Sequence, residues 1–221
     1  MAKRINAACC TLLTSLCLAL PAMGQNAKIQ IPADTNLNTY FKELQGRPAE
    51  AEALYKIGRK VAAVCALCHG EGGNSLRPDV PNLAGQNPAY LLEQMRQFTA
   101  GERRNEFMQG LIKSLSQEEK VGMVVFYARQ EVSHKPTNNP ALAGKGQEYY
   151  GQHCLSCHGE HGRGNETIAR IAGQQSEYLK LTLKRYREGS NVRKESLMTP
   201  NARQMTDADI AAVVTYLSSM Q

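Results

Sequence analysis

Two short strings limit what this chain can become: CALCH at 65–69 and, 89 residues later, CLSCH at 154–158. Cysteines three apart on a helical turn place both sulfurs on one face. There they can add across the two vinyl groups of a porphyrin as thioethers, with the next residue, a histidine, directed at the iron. Other uses of paired thiols fit less well. A zinc site built from two C-x-x-C pairs separates them by about 15–20 residues, not by most of a domain. A thiol–disulfide oxidoreductase carries one such pair beside a βαβ pattern, and no strand-like alternation is visible here. A pair of redox disulfides leaves both histidines unexplained. The strings therefore predict two covalently bound haem c groups, held by Cys65, Cys68, Cys154 and Cys157, with His69 and His158 as iron ligands.

The remaining cysteines agree. The chain opens MAKRINAACCTLLTSLCLALPAMGQ, with Lys3 and Arg4 ahead of a mostly apolar run and Pro21, Ala22 and Gly24 after it. That layout predicts a secretory signal peptide over 1–24, cut after Gly24. The run is short for a bilayer core of about 30 Å and carries Asn6, Thr11, Thr14 and Ser15, which argues against an anchor helix. Leu16 before Cys17 argues against a lipoprotein. Cleavage removes Cys9, Cys10 and Cys17, so every cysteine left lies in a C-x-x-C-H string and none is spare for a structural disulfide. The formal net charge of +6, two units of which leave with Lys3 and Arg4, is too weak to argue for nucleic acid.

The chain also repeats itself, a property to be sought before local structure. A shift of 88 lays NLAGQ (82–86) on RIAGQ (170–174), Tyr90 on Tyr178 and Gly101 on Gly189. A shift of 90 lays Met108 on Met198, Ser116 on Thr206 and KVGMVVFYA on IAAVVTYLS. This predicts two domains of one design, 48–133 and 140–221, joined by a Pro- and Asn-rich linker at 134–139. Residues 25–47 form a leader to which the sequence assigns no role. Each repeat reads as helical. Pro48 suits a first turn, YLLEQMRQF and YLKLTLKRY have apolar residues at helical spacing, and Ser116 opens a capping box of which Thr206 is a weaker relative.

The repeat acts as a control on the sixth iron ligand. Met95 falls opposite Leu183, Met123 opposite Val213, Met205 opposite Leu115 and Met220 opposite Gln130. His153 and His161 face Val64 and Gly72, and His134 lies in the linker. Met108 and Met198 match each other, each eight residues before the final helix cap. A His/Met pair at each iron fills both axial positions, and the soft thioether favours Fe(II). Such a centre suits a carrier of single electrons rather than a catalyst.

Around the irons, Gly70, Gly72, Gly73, Gly159, Gly162 and Gly164 let the backbone pass close to a porphyrin. A backbone carbonyl is expected to hold each histidine through its second ring nitrogen. Pro78 or Pro81 is the natural source in the first domain, whereas the second has no proline between His158 and Met198. Lys180, Lys184, Arg185, Arg187, Arg193 and Lys194 form a basic run. A solvated helix face accounts for it, with docking to an acidic redox partner as the alternative, which would point the second domain at that partner.

C-x-x-C-H-G twice, PNLAGQNPAYLLEQMRQFTAG after the first string, IAGQQSEYL after the second, and a methionine before each LS or MT cap together resemble the dihaem cytochrome c4 family, within the class I c-type cytochromes. The resemblance runs from residue 58 to 221. It implies an all-α fold of two tandem class I haem domains about an approximate twofold axis. It also implies a periplasmic carrier, not an enzyme, at most peripherally attached to the membrane. Its redox partners would be a quinol-oxidising complex upstream and a terminal oxidase downstream. Related dihaem folds serve as cytochrome subunits of flavin- or quinone-dependent dehydrogenases, which is the alternative. The leader is longer than the family usually carries.

Overall fold

The computed structural model describes residues 29–190, 193 and 196–220. The expected signal peptide and the basic residue Lys194 lie outside the described residues. Among the described residues there are helices and no strands beyond one isolated bridge, and no helix is long and apolar enough to cross a membrane.

The leader supplies α1 (Leu37–Leu44), capped by the Asn36 side chain, which accepts from the N–H groups of Asn38 and Thr39. The first domain then runs α2 (Pro48–His69), α3 (Pro88–Ala100), α4 (Glu106–Ser114) and α5 (Gln117–Ala128). The second repeats it with α6 (Pro140–His153), a one-turn α7 (Leu155–His158), α8 (Ser176–Arg187), a short α9 (Met198–Ala202) and α10 (Asp207–Ser219). Pro48 stands in the first turn of α2, where its missing N–H costs nothing. Ser116 and Thr206 both close complete capping boxes, with Glu119 and Asp209.

In each domain the first and last helices cross backbone to backbone. A Cβ on Gly58 would fall 2.7 Å from the Met123 nitrogen, and one on Gly146 would fall 2.6 Å from the Ala212 carbonyl carbon. Only glycine allows the approach. The crossings carry the cores: Leu91, Leu92, Met95, Phe98, Val124 and Tyr127 in one domain, Tyr150, Leu179, Ile210, Val213 and Leu217 in the other.

The leader has a structural role that the sequence left open. Ile31 and Leu44 pack with Leu54, Val121 and Val125 in a separate cluster on the outer side of the α2–α5 crossing, while Leu37 and Phe41 also reach the main core. Ile31 N–H donates to Glu118 (2.5 Å), and Lys42 pairs with Glu166 of the second domain (3.1 Å). The repeat explains why one domain is covered. Opposite Leu54, Ile57, Val121 and Val125, the second domain has Leu142, Lys145, Ala211 and Thr215: the leucine is kept, and the other three positions carry smaller or more polar side chains suited to water.

The segment between the domains is laid down on both. Ser133 N–H donates to Asn74, His134 contacts the Met220 carbonyl (3.2 Å), and Lys135 reaches Gln175 (3.4 Å).

Candidate metal centres and the domain junction

Both strings stand at helix ends. His69 ends α2 and His158 ends α7, and the glycine after each, Gly70 (φ 78°) and Gly159 (φ 75°), turns the chain away in a conformation L side chains avoid. At Gly70 a side chain would also meet Ser75 nitrogen at 3.0 Å. Ser75 ties this loop down: its hydroxyl donates to the Cys68 carbonyl (3.0 Å) and its N–H to Asn82 Oδ1 (2.8 Å).

The two histidines are buried alike, at 8% and 7% exposure. His69 Nδ1 bonds the Pro81 carbonyl at 2.8 Å, and His158 Nδ1 bonds the Ala169 carbonyl at 3.0 Å. Of the two prolines named from sequence, Pro81 holds the ring; in the second domain an alanine carbonyl does the same work, so proline is not required. A carbonyl can only accept, so Nδ1 carries the proton and Nε2 keeps its lone pair. Burial pushes both imidazoles below their ordinary value, against the pull of the carbonyl bond, and so keeps them neutral. A neutral ring with a free Nε2 is the form that binds a metal.

None of the four cysteines of the strings is joined in a disulfide. Burial pushes the Cys65 thiol up and the Cys154 thiol up to about 11, so neither is poised as a thiolate nucleophile. Met108 packs at the edge of the same core cluster as Cys65, and Met198 at the edge of the cluster that holds Cys154. Each stands in the first turn of a short helix with its N–H capped, by Asn105 Oδ1 (3.0 Å) and Ser196 Oγ (3.2 Å). Met123 also approaches Cys65, sulfur to sulfur at 3.7 Å, but it is a packed residue of α5 whose counterpart is Val213.

Gln86 and Gln174, like Asn82 and Arg170, match under the 88-residue shift, and the junction between the domains shows what they do. Gln86 Oε1 accepts from Arg170 N–H (2.7 Å) while its Nε2 donates to the Arg170 carbonyl (2.9 Å). Gln174 makes the same pair of bonds to Asn82, at 2.6 and 3.1 Å. Further along, Arg103 and Arg193 form an antiparallel bridge. Arg193 donates to the hydroxyls of Tyr90 (3.3 Å), Tyr178 (3.0 Å) and Tyr186 (2.6 Å), and Arg103 to Tyr178 (3.1 Å) and Gln94 (2.9 Å). Among the described residues neither guanidinium is paired with a carboxylate.

These observations fit a haem in each domain. The histidines present the ligating tautomer, the cysteines are unbridged, and a thioether adjoins each core. Two guanidiniums that, among the described residues, are held by neutral groups suit the propionate carboxylates that a haem brings. The basic run of α8 is corrected in one respect: Arg193 turns inward to the tyrosines. Lys180 pairs with Glu177 (3.5 Å), and Lys184 and Arg187 both pair with Asp207 (3.6 and 2.7 Å). Three cations of the run thus belong to a paired helix face, while Arg185 stands exposed.

Two all-α domains, each presenting C-x-x-C-H at a helix end with its histidine fixed by a carbonyl, are class I c-type cytochrome domains, and residues 143–221 match the cytochrome c family model. The chain is 33% identical over 187 residues to cytochrome c4 from Thiocapsa roseopersicina, covering 79% of this chain and 93% of that one. It belongs to the cytochrome c4 family. It is also 33% identical over 182 residues to the thiosulfate dehydrogenase electron acceptor of Thiomonas intermedia, covering 76% and 84% of the two chains. The crystal structure of reduced recombinant cytochrome c4 from Pseudomonas stutzeri resembles it with a TM-score of 0.68 at 29% identity, over 75% of this chain and 98% of that one. The protein is thus a c-type cytochrome, an electron carrier with two covalently bound haem c groups.

Proposed function

We propose that this protein is a periplasmic shuttle taking single electrons from a quinol-oxidising complex to a terminal oxidase. Cys65 and Cys68 hold one haem and Cys154 and Cys157 the other, with His69 and Met108, and His158 and Met198, as the axial ligand pairs. The domains divide at 48–133 and 140–221, and the signal peptide over 1–24 directs export. Bound there, haem c supplies an iron that exchanges one electron with little rearrangement.

The observation that carries the reading is the matched ligand shell. Each imidazole is held in one tautomer by a backbone carbonyl, and each matched methionine lies at the edge of the core its cysteine touches. With both axial positions filled by protein, neither iron offers a vacancy to a substrate, which separates a carrier from a dihaem enzyme. A spectroscopic redox titration of the mature protein tests this. Two haems, each with a sulfur-to-iron band in the near infrared, are expected; one haem, or carbon monoxide binding at both irons, would refute it.

A second reading, as the cytochrome partner of a dehydrogenase, gains support from the relative named as a thiosulfate dehydrogenase electron acceptor. Under it the protein co-purifies with a dehydrogenase and is reduced by that enzyme's substrate. Under the first, it is recovered alone and is oxidised by membranes that contain the oxidase.

A further inference from the structure

We propose that Gln86 and Gln174 are crossed positioning residues, each setting, from across the domain junction, the hydrogen bond that holds the axial histidine of the opposite domain. The inference rests on His69 and His158 being iron ligands.

The connection runs through single peptide groups. The carbonyl of Pro81, which accepts from His69 Nδ1, belongs to the same planar amide as the N–H of Asn82. That N–H donates to Gln174 Oε1 at 2.6 Å. In the other half, the carbonyl of Ala169 accepts from His158 Nδ1, and the N–H of the same amide, on Arg170, donates to Gln86 Oε1 at 2.7 Å. One amide therefore stands between each histidine and a glutamine of the other domain. The two glutamines match each other under the 88-residue shift, as do Asn82 and Arg170.

Both glutamines are fixed. They are 6% and 7% exposed, and each Oε1 takes a second bond from the next backbone N–H, at 3.0 Å from Asn87 and 2.9 Å from Gln175. Two N–H donors converge on each Oε1, and each Nε2 faces a carbonyl, so the network assigns the amide orientation.

Bonds at the two ends of one amide reinforce each other. An acceptor on the N–H makes the carbonyl a better acceptor, by roughly 10–30% per bond. A better acceptor draws the Nδ1 proton further from the ring, and the more basic Nε2 favours Fe(III) over Fe(II). A glutamine that served only as glue between domains would have no reason to land on this amide, twice. Removing Gln174 should therefore make the first domain easier to reduce, and removing Gln86 the second.

The test uses the mature dihaem protein and the near-isosteric variants Gln174→Met and Gln86→Met. Redox titrations are followed by the haem-methyl proton resonances of each domain. At the wild-type midpoint, Gln174→Met should raise the reduced-to-oxidised ratio of the first domain about threefold, or about 28 mV at 59 mV per decade, with a smaller change in the second. Gln86→Met should give the mirror image. A shift confined to the variant's own domain, an equal shift in both, or none in either would overturn the inference. Ring-current-shifted imidazole proton resonances of His69 and His158 in the reduced wild type test the histidine ligation separately. If a methionine variant fails to mature, Gln174→Asn and Gln86→Asn, too short to reach the opposite amide, must show the crossed pattern in its place, and its absence there counts equally against the inference.

Discussion

Replacing Gly146 by alanine adds one methyl group at the point where α6 and α10 touch. Its Cβ would lie 2.6 Å from the Ala212 carbonyl carbon and 2.8 Å from Tyr216 Cβ. Carbon atoms pack at about 3.5–4.0 Å, so the helices must part by roughly 1 Å. The obstruction is backbone and cannot rotate away. Parting strains the contacts of Tyr150, Ile210, Val213 and Leu217, the core that positions the second haem string. Overpacking of this kind costs about 1–3 kcal/mol, and the upper end applies where the neighbour is main chain. Alanine's better helix propensity returns about 1 kcal/mol, leaving a net loss of about 2 kcal/mol. Gly144, two residues earlier in α6, is the control, since a Cβ there meets nothing within 4 Å. Gly144→Ala should stabilise by up to about 1 kcal/mol, so the two variants should differ by about 3 kcal/mol, or roughly two decades in the folding equilibrium. Denaturant unfolding of the haem-loaded variants by circular dichroism, with the Soret band as a second probe, measures this. Equal midpoints for Gly146→Ala and Gly144→Ala would refute the backbone crossing as the organising contact.

Other expectations follow from the same geometry. Met108→Ala and Met198→Ala should each remove half of the sulfur-to-iron band and let carbon monoxide bind at one iron, as measured by near-infrared absorption and titration. Leu44→Ala, at a leader side chain 2% exposed against the first domain, should cost about 2–5 kcal/mol there and leave the second domain unchanged, as read by domain-resolved hydrogen exchange. Asp207 is held below its ordinary carboxyl value of 3.8 by the Arg187 hydrogen bond and then by Lys184. A depressed acid stabilises the fold above its unfolded value and loses that contribution as pH falls through the folded one. Asp207→Asn should therefore flatten the acid limb of the stability profile below about pH 4, and an unchanged limb would contradict this.

The parts legible in sequence were those with a local cause. Pro48, Ser116 and Thr206 mark helix starts because they act within one turn, and Thr206 with Asp209 closes its box as fully as Ser116 with Glu119. The strings and the matched methionines were legible because the repeat supplied a second copy. What escaped depends on partners far away in sequence. Gln86 and Gln174 bond main chain more than eighty residues distant, and a backbone acceptor has no side-chain identity to align. Ala169 holds His158 with a carbonyl any residue could provide. Arg193 looked like one member of a surface run because charge alone does not say which way a side chain turns. Gly58 and Gly146 were hidden for the opposite reason: a glycine inside a helix reads as a weakness until the neighbour that needs the space is known.

The cover over the first domain has a consequence for the order in which the chain is finished. Ile31 and Leu44 emerge early from any machine that delivers the polypeptide amino end first, yet Val121 and Val125 arrive some ninety residues later. Until then both partners of that seam are bare, and the half-made chain carries an oily strip that invites wrong company. The second half has no leader seam to wait for, since beside Leu142 its outer face is written in alanine, lysine and threonine from the start. Two copies of one design thus differ in how long each needs a guardian before it can be left in water.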